Sequence, residues 1–408
     1  MPADADHDGA RLLQAIDASV SRALGGLRRS VQKNLAVLTV AFLRVLGAAR
    51  GGNGGLSLGA LFRVLPTAGT ARAREKRRRR FLENPRLDPR GVTDGLARFI
   101  FGQRGCGLWP ILFDQTQSGS AQALFAGVPF EGRALPLAVY TFSYPWRERA
   151  TKSQNQLERV FLLDLEGSLP RGVRGVYIGD RGYARAALFR QSGQDGRLFV
   201  IRGRVGTLVE YGSRRCKLGE LPCTPDRARR YRGVLYQARL RVRVDIVTFH
   251  DPAFREPWFL VVPPDSEAIL PTATVVALYR ERMQVEHSFR DFKTHLGLRG
   301  LKLRVRIAER TGRLLLAFCI AYCLALVLGV STEARQARAD LEILRRQPRH
   351  GTRRTLSVLS VAMQMLSHPR WRRRAYDRLH RIATRLAAGR AALQRPPPQV
   401  EDLAVRVA

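Results

Sequence analysis

Tyr279, Arg282, Glu286 and Lys293 stand in the frame Tyr-x2-Arg-x3-Glu-x6-Lys. On a helix turning about 100° per residue, offsets of 0, 3, 7 and 14 fall within an arc of roughly 60°, so the four side chains share one face. A carboxylate flanked by an arginine, a lysine and a phenol is equipment for holding a divalent cation against a phosphate. The plainer alternative is a solvated charged face. Of 70 basic residues only six are lysine, so a lysine in this frame is not a by-product of composition.

Two more carboxylates stand at the ends of apolar runs. Asp114 follows Trp109-Pro110-Ile111-Leu112-Phe113, and Asp180 follows Val173 to Ile178 within Gly179-Asp180-Arg181-Gly182. Taken singly, each is an ordinary turn or cap residue. Together with Glu286 they form a set that raises its own pKa values unless a cation intervenes. Magnesium takes hard oxygen ligands, and two such ions about 3.5–4 Å apart support in-line phosphoryl displacement. His287 and His295 are eight residues apart with no third ligand, and Ser288 has no triad partner by spacing. All three are assigned structural roles.

The elements that must position these groups follow from periodicity. Residues 1–105 are expected to be a helical DNA-binding region. Its apolar helices are broken at Gly51-Gly52-Asn53-Gly54-Gly55, and a basic helix carries Lys76, Arg77, Arg78, Arg79 and Arg80. From Leu108 onward strands and helices alternate: strands at 109–113, 121–125, 135–142, 173–178 and 198–201, with helices at 151–165 and 184–191. Residues 106–202 are the first part of an α/β core. Residues 203–265 are a β-rich insertion, with single runs at 205–211, 234–249 and 258–262. The core resumes over 266–335 with a helix from Pro271 to about His295, capped at Gly297. Residues 336–408 are a basic helical C-terminal region whose proline run, 390–398, is expected to be disordered.

A 408-residue chain with 45% apolar residues is globular and long enough for more than one domain. Its formal charge of +36 calls for a polyanion. Codon bias exchanges Lys for Arg and leaves net charge alone, so nucleic acid is the expected partner, ahead of an acidic membrane. The five cysteines lack a C-x2-C pair, which excludes a zinc-ribbon or disulfide framework and fits a reducing cytoplasm. The acidic N-terminus does not read as a signal peptide. Leu314 to Val330 is at the short limit for spanning a membrane and reads as a buried core helix.

The chain resembles the DDE transposases of bacterial insertion sequences, in the insertion-sequence-four family with its Tyr-Arg-Glu-Lys signature. Phe113-Asp114-Gln115-Thr116, Ile178-Gly179-Asp180-Arg181-Gly182-Tyr183 and Tyr279 through Lys293 carry the likeness, which runs from about residue 60 to 330. It implies an RNase H-like catalytic domain, with a β-rich insertion between the second aspartate and the glutamate. Asp114, Asp180 and Glu286 would hold two Mg²⁺ ions, for which Mn²⁺ substitutes. Tyr279, Arg282 and Lys293 would contact the DNA backbone, and Trp258 is either a stacking platform for a flipped base or a strand-core residue. The implied activity is cleavage at terminal inverted repeats of double-stranded DNA and joining of the 3′-OH ends to target DNA, by at least a homodimer, in the bacterial cytoplasm at the nucleoid. The alternatives are a non-catalytic DNA-binding regulator and a nuclease without strand transfer.

Overall fold

Trp109 to Phe113 is buried on both faces, as a central strand covered on both sides must be. In the computed structural model it lies within β1 (Gly107–Ser118), which pairs antiparallel with β2 (Ala121–Phe130) on one side and parallel with β4 (Val173–Gly179) on the other. The other strands are β3 (Arg133–Ser143), β5 (Leu198–Arg202), β6 (Leu208–Tyr211), β7 (Arg214–Lys217), β8 (Arg229–Tyr236), β9 (Val242–Phe249) and β10 (Trp258–Val262). All ten form one sheet in the order β3-β2-β1-β4-β5-β10-β9-β8-β6-β7. The structure describes residues 2–48, 57–67, 69–102, 105–118, 121–143, 153–295, 307–343, 356–393 and 396–405. The expected glycine hinge at 51–55 and the cap at Gly297 lie outside them.

The helices are α1 (Pro2–Ala23), α2 (Arg29–Ala48), α3 (Leu58–Arg63), α4 (Ala71–Glu83), α5 (Pro89–Phe101), α6 (Gln154–Gly167) and α7 (Ala186–Gln194), then α8 (Thr272–Glu281), α9 (Met283–Arg290), α10 (Ala308–Gly329), α11 (Thr332–Leu341), α12 (Val358–Ser367), α13 (Pro369–Ala387) and α14 (Val400–Val405). Helix α6 starts where Ser153 and Gln156 form a reciprocal capping box. It leads into β4, and α7 leads into β5, which extends the parallel part of the sheet.

Two expectations change and one gains detail. The β-rich stretch expected at 203–265 continues the core sheet, because β10 pairs antiparallel with β5. The single run expected at 234–249 is a hairpin, turned where Gln237 and Arg241 adopt positive φ. The C-terminal stretch is not a free tail. Val400 and Leu403 are buried, α14 packs on α8 and β1, and the Gln399 side chain donates to the Cys106 carbonyl at 2.9 Å.

The terminal regions, remote in sequence, join in one helical layer. Helix α1 packs along α13, α2 packs on α10 and α12, and α10 and α5 lie on β3. Helix α10 is long and apolar enough to cross a membrane, but 89% of its apolar window is buried inside the protein, so its hydrophobicity is used in the core.

A polar network ties this layer to the helix that follows α8. Asp291, 1% exposed, is paired with Arg133 and accepts from the Tyr322 hydroxyl at 3.0 Å. Removing the carboxylate would leave the half-buried Arg133 without its counter-charge and the Tyr322 hydroxyl without its acceptor. Asp291→Ala is therefore expected to lower stability by up to about 3–5 kcal/mol, and Tyr322→Phe by about 1.5–3 kcal/mol, measured by urea unfolding.

Candidate active site

The parallel register of β1 and β4 brings two aspartates side by side. Leu112 is paired with Ile178, and Asp114 and Asp180 each lie two residues further along. Side chains alternate along a strand, so both project from the face on which Leu112 and Ile178 are buried. Asp114 Oδ1 accepts from the Gln115 amide at 2.7 Å. Asp180 caps a short 3₁₀ turn, Arg181–Tyr183, and accepts from the Gly182 amide at 2.7 Å. The glycines around it have steric reasons. A Cβ at Gly182 would come within 2.8 Å of the Asp180 carboxylate, and one at Gly179 would collide with the Phe113 ring. That ring packs edge-on against Tyr183 at 4.4 Å.

The third carboxylate comes from α9, which lies against β1, β2 and β3. Glu131 and Gly132 turn the β2–β3 hairpin with positive φ, and α9 grips its flanks. The Phe130 amide donates to Gln284 at 3.0 Å and the Ala134 amide donates to Ser288 at 2.9 Å. Phe289 and Phe292 pack on Phe125 of the sheet. With those faces committed, Arg282 and Glu286 project on another side, toward Asp114. The Arg282 guanidinium donates to Glu286 at 2.5 Å and lies 3.8 Å from Asp114. The longer contact is an ion pair but not a hydrogen bond, and Arg282 Nη1 is buried with no hydrogen-bond acceptor.

The resulting electrostatics are strained. Burial, followed by the negative charge of Asp180, pushes Asp114 up to about 7; Glu286 adds to the rise, while the Gln115 amide and Arg282 oppose it. The site holds more negative charge than one guanidinium offsets. Among the described residues, no three Asp, Glu, His or Cys side chains are already gathered as a metal-holding group. Arg282 stands between two of the carboxylates. The donor set, three carboxylates with one pushed up by burial and then by its acidic neighbours, fits a hard divalent cation in chemistry.

The helix bearing these residues is not uniform, and this corrects the single helical arc expected from 279 to 293. Arg282 interrupts the α pattern with hydrogen bonds three residues apart, from its own amide to Tyr279 and from Val285 back to it. Asp291–His295 forms a π turn. Lys293 lies on that wider turn, with its ammonium 5.9 Å from the Phe289 ring centroid. It lines a small cleft with Thr116 and Gln117, just past Asp114 on β1. Tyr279 is buried, with the Arg282 guanidinium over its ring at 5.9 Å. Trp258 is 7% exposed and packs among Phe249, Phe254 and Tyr279. It occupies a strand-core position, against the phenol of the motif.

The basic run forms α4, some distance along the fold. Lys76, Arg77, Arg79 and Arg80 are exposed, whereas Arg78 is half-buried, pairs with Glu75 and lies over Phe62. Glu83 accepts from Arg310 of α10 at 3.0 Å and anchors the helix. Sequence reasoning missed the supports behind Asp114. Gln154 donates to Gln115 at 3.0 Å and to the buried Glu158 at 2.9 Å, and Glu158 is paired with Arg185. Burial raises the Glu158 pKa despite that arginine. Its sole sequence signal is a glutamate at an otherwise apolar position of α6.

Residues 148–324 match the family described as the transposase DDE domain. This supports a DDE transposase, and the mixed α/β architecture with its ten-stranded sheet fits such a domain. The matched stretch contains Asp180, Tyr279, Arg282, Glu286 and Lys293 and begins after Asp114. No curated protein matches the chain significantly.

An acid whose pKa is higher in the folded state binds its proton more tightly there. Asp114 therefore favours folding below the ordinary carboxylate range, and that contribution is lost as pH rises from about 4 to about 7. In EDTA, the melting temperature is expected to fall more steeply over this window in the wild type than in Asp114→Asn, measured by thermal denaturation at successive pH values.

Proposed function

We propose that this chain is a metal-dependent transposase that binds the terminal inverted repeats of an insertion sequence, cleaves phosphodiester bonds at its ends and joins the freed 3′-OH groups to target DNA. One observation carries the proposal. Asp114 lies within electrostatic reach of both Asp180 and Glu286, which come from separate elements, and Arg282 links Glu286 to Asp114. The two aspartates stand just past the last parallel β1–β4 pair, Leu112 with Ile178, on the side where open α/β sheets place their chemistry. The parallel β1, β4 and β5 flanked by helices support an RNase H-like reading of the core. The formal charge of +36 supports a polyanionic substrate.

In this reading Asp114, Asp180 and Glu286 would hold two Mg²⁺ ions, or Mn²⁺ in their place. Bound there, the ions would supply charge stabilisation for the attacking and leaving oxygens of an in-line displacement. The rest falls to the chain's own groups. Arg282 exchanges its carboxylate partners for a backbone phosphate, to which its bonds are charge-assisted. Tyr279 backs Arg282 as a flat surface beneath the guanidinium. Lys293 contacts a neighbouring phosphate as a point charge. The Gln115, Gln154, Glu158 and Arg185 network fixes the β1 end that carries Asp114. Both element ends must be held at once, so the working form is at least a homodimer on DNA.

Glu286→Gln should abolish Mg²⁺- or Mn²⁺-dependent nicking of terminal-repeat DNA while leaving binding nearly intact. Equal loss of both would count against the assignment, and binding unaffected by EDTA with no cleavage would identify a regulator instead. Lys293→Ala should weaken processing and binding moderately; a wild-type rate would remove Lys293 from the DNA contact. Arg282→Gln takes away the cation now standing between the carboxylates. The DNA-free variant should therefore bind Mn²⁺ more tightly than wild type in electron paramagnetic resonance titrations, and bind DNA more weakly.

A further inference from the structure

Helix α13 breaks a rule of helix electrostatics. It carries seven arginines and one aspartate, and four of the arginines, Arg370, Arg372, Arg373 and Arg374, fall within its first six residues, with no acid in the first turn. Cations at a helix N-terminus oppose the macrodipole, and like charges one turn apart repel. Contacts inside the fold compensate only part of this charge, and Arg385 donates to the Ala391 carbonyl at 2.6 Å. Arg370 pairs with Asp340, and Arg378 and Arg381 pair with Glu333. Arg372, Arg373, Arg374 and Arg385 are exposed and meet no carboxylate among the described residues. The single aspartate, Asp377, is 3.7 Å from Arg11 of α1. Cations crowded into the first turns of a helix, only partly paired within the fold, point to function.

The arrangement of the arginines is ordered. At about 100° per residue, Arg370, Arg373, Arg374, Arg378, Arg381 and Arg385 occupy an arc of roughly 140°. Trp371, Ala375, Leu379, Ile382 and Ala383 are buried on the adjoining face. Trp371 is also a fixed platform. Its indole N–H donates to Asp340 at 2.9 Å, and the guanidinium carbons of Arg374 and Arg370 lie 4.9 and 5.8 Å from its ring centre. Two guanidinium groups one turn apart are thereby held before any partner arrives.

We propose that this face of α13 is a second DNA-binding surface, which grips the phosphate backbone of a duplex. It rests on the proposed function, in which DNA is the substrate. From Arg370 to Arg385 the helix rises about 22 Å, a length over which one strand of duplex DNA presents about six phosphates. Asp377 and Thr384 share the arc, and Asp377 is turned to Arg11 of α1, so the arginines are the groups the face offers to phosphate, with charge-assisted bonds. A lipid surface fits less well, because the apolar side of α13 is spent in the core and no large apolar side chain lies among the arginines to enter a bilayer.

The test replaces Arg373, Arg374, Arg381 and Arg385 together with glutamine, and in a second variant with lysine, in the full chain. Binding to a fluorescent random-sequence duplex is followed by anisotropy over a range of salt. Every phosphate no longer neutralised should reduce the slope of log K against log salt by about 0.9, so the glutamine variant should lose up to about 3.6 of slope and at least about tenfold in affinity near 0.1 M salt. The lysine variant should keep most of both. Mn²⁺-dependent nicking at saturating DNA should be unchanged in either variant. An unaltered slope in the glutamine variant would overturn the surface while leaving the active-site reading in place. Weakened binding to phosphatidylserine vesicles with unchanged DNA affinity would overturn it in favour of a membrane contact. A wild-type chain that neither binds nor nicks DNA would sink the functional reading itself.

Discussion

Two aspartates just past the point where the parallel pairing of β1 and β4 ends, with a glutamate brought near by a helix, would repel one another in a half-buried site. The guanidinium of Arg282 is what this chain sets against that repulsion. It bonds to Glu286 and approaches Asp114 without reaching hydrogen-bond distance, and one of its own nitrogens stays unsatisfied. The arrangement is therefore a compromise, with Asp114 still pushed toward neutrality. A site balanced in this way has little to lose when the arginine is offered a phosphate and the carboxylates a harder cation. The same group thus stabilises the resting state and is placed to leave it.

Much of the remaining fold holds this balance in place. Gln284 and Ser288 lock α9 to the β2–β3 hairpin, and Asp291 binds the next turn to Arg133 and to Tyr322 of α10. The buried Glu158–Arg185 pair backs β1 from the opposite side. These contacts are individually ordinary. Their joint effect is that Glu286 approaches the strand ends from one direction, set by a buried polar network with large costs for a missing partner.

The sequence disclosed the site better than its setting. Asp180 was legible because the glycines beside it answer local steric demands, close to the carboxylate and to Phe113. Arg282 and Glu286 were legible because four residues apart on a helix is a local relation. Lys293 was harder to place, since the α period fails at the π turn and no residue type announces such a turn. The pairing of β10 with β5 and of α1 with α13 depends on contacts between distant segments, which periodicity does not record. Hence the strands after Arg202 read as a separate insertion and the terminal helices as separate regions. The basic composition near the C-terminus was visible, but its concentration on one face of α13 required knowing which residues that helix buries.

The central claim is that the three carboxylates form a cation site from which Arg282 is displaced when DNA binds. It is tested most directly by anomalous diffraction from crystals of the protein with terminal-repeat DNA and Mn²⁺. Manganese peaks in contact with the Asp114 and Asp180 carboxylates are expected, with Arg282 turned onto a DNA phosphate. Bound DNA with Arg282 still joining Asp114 to Glu286, and no manganese between the aspartates, would contradict it.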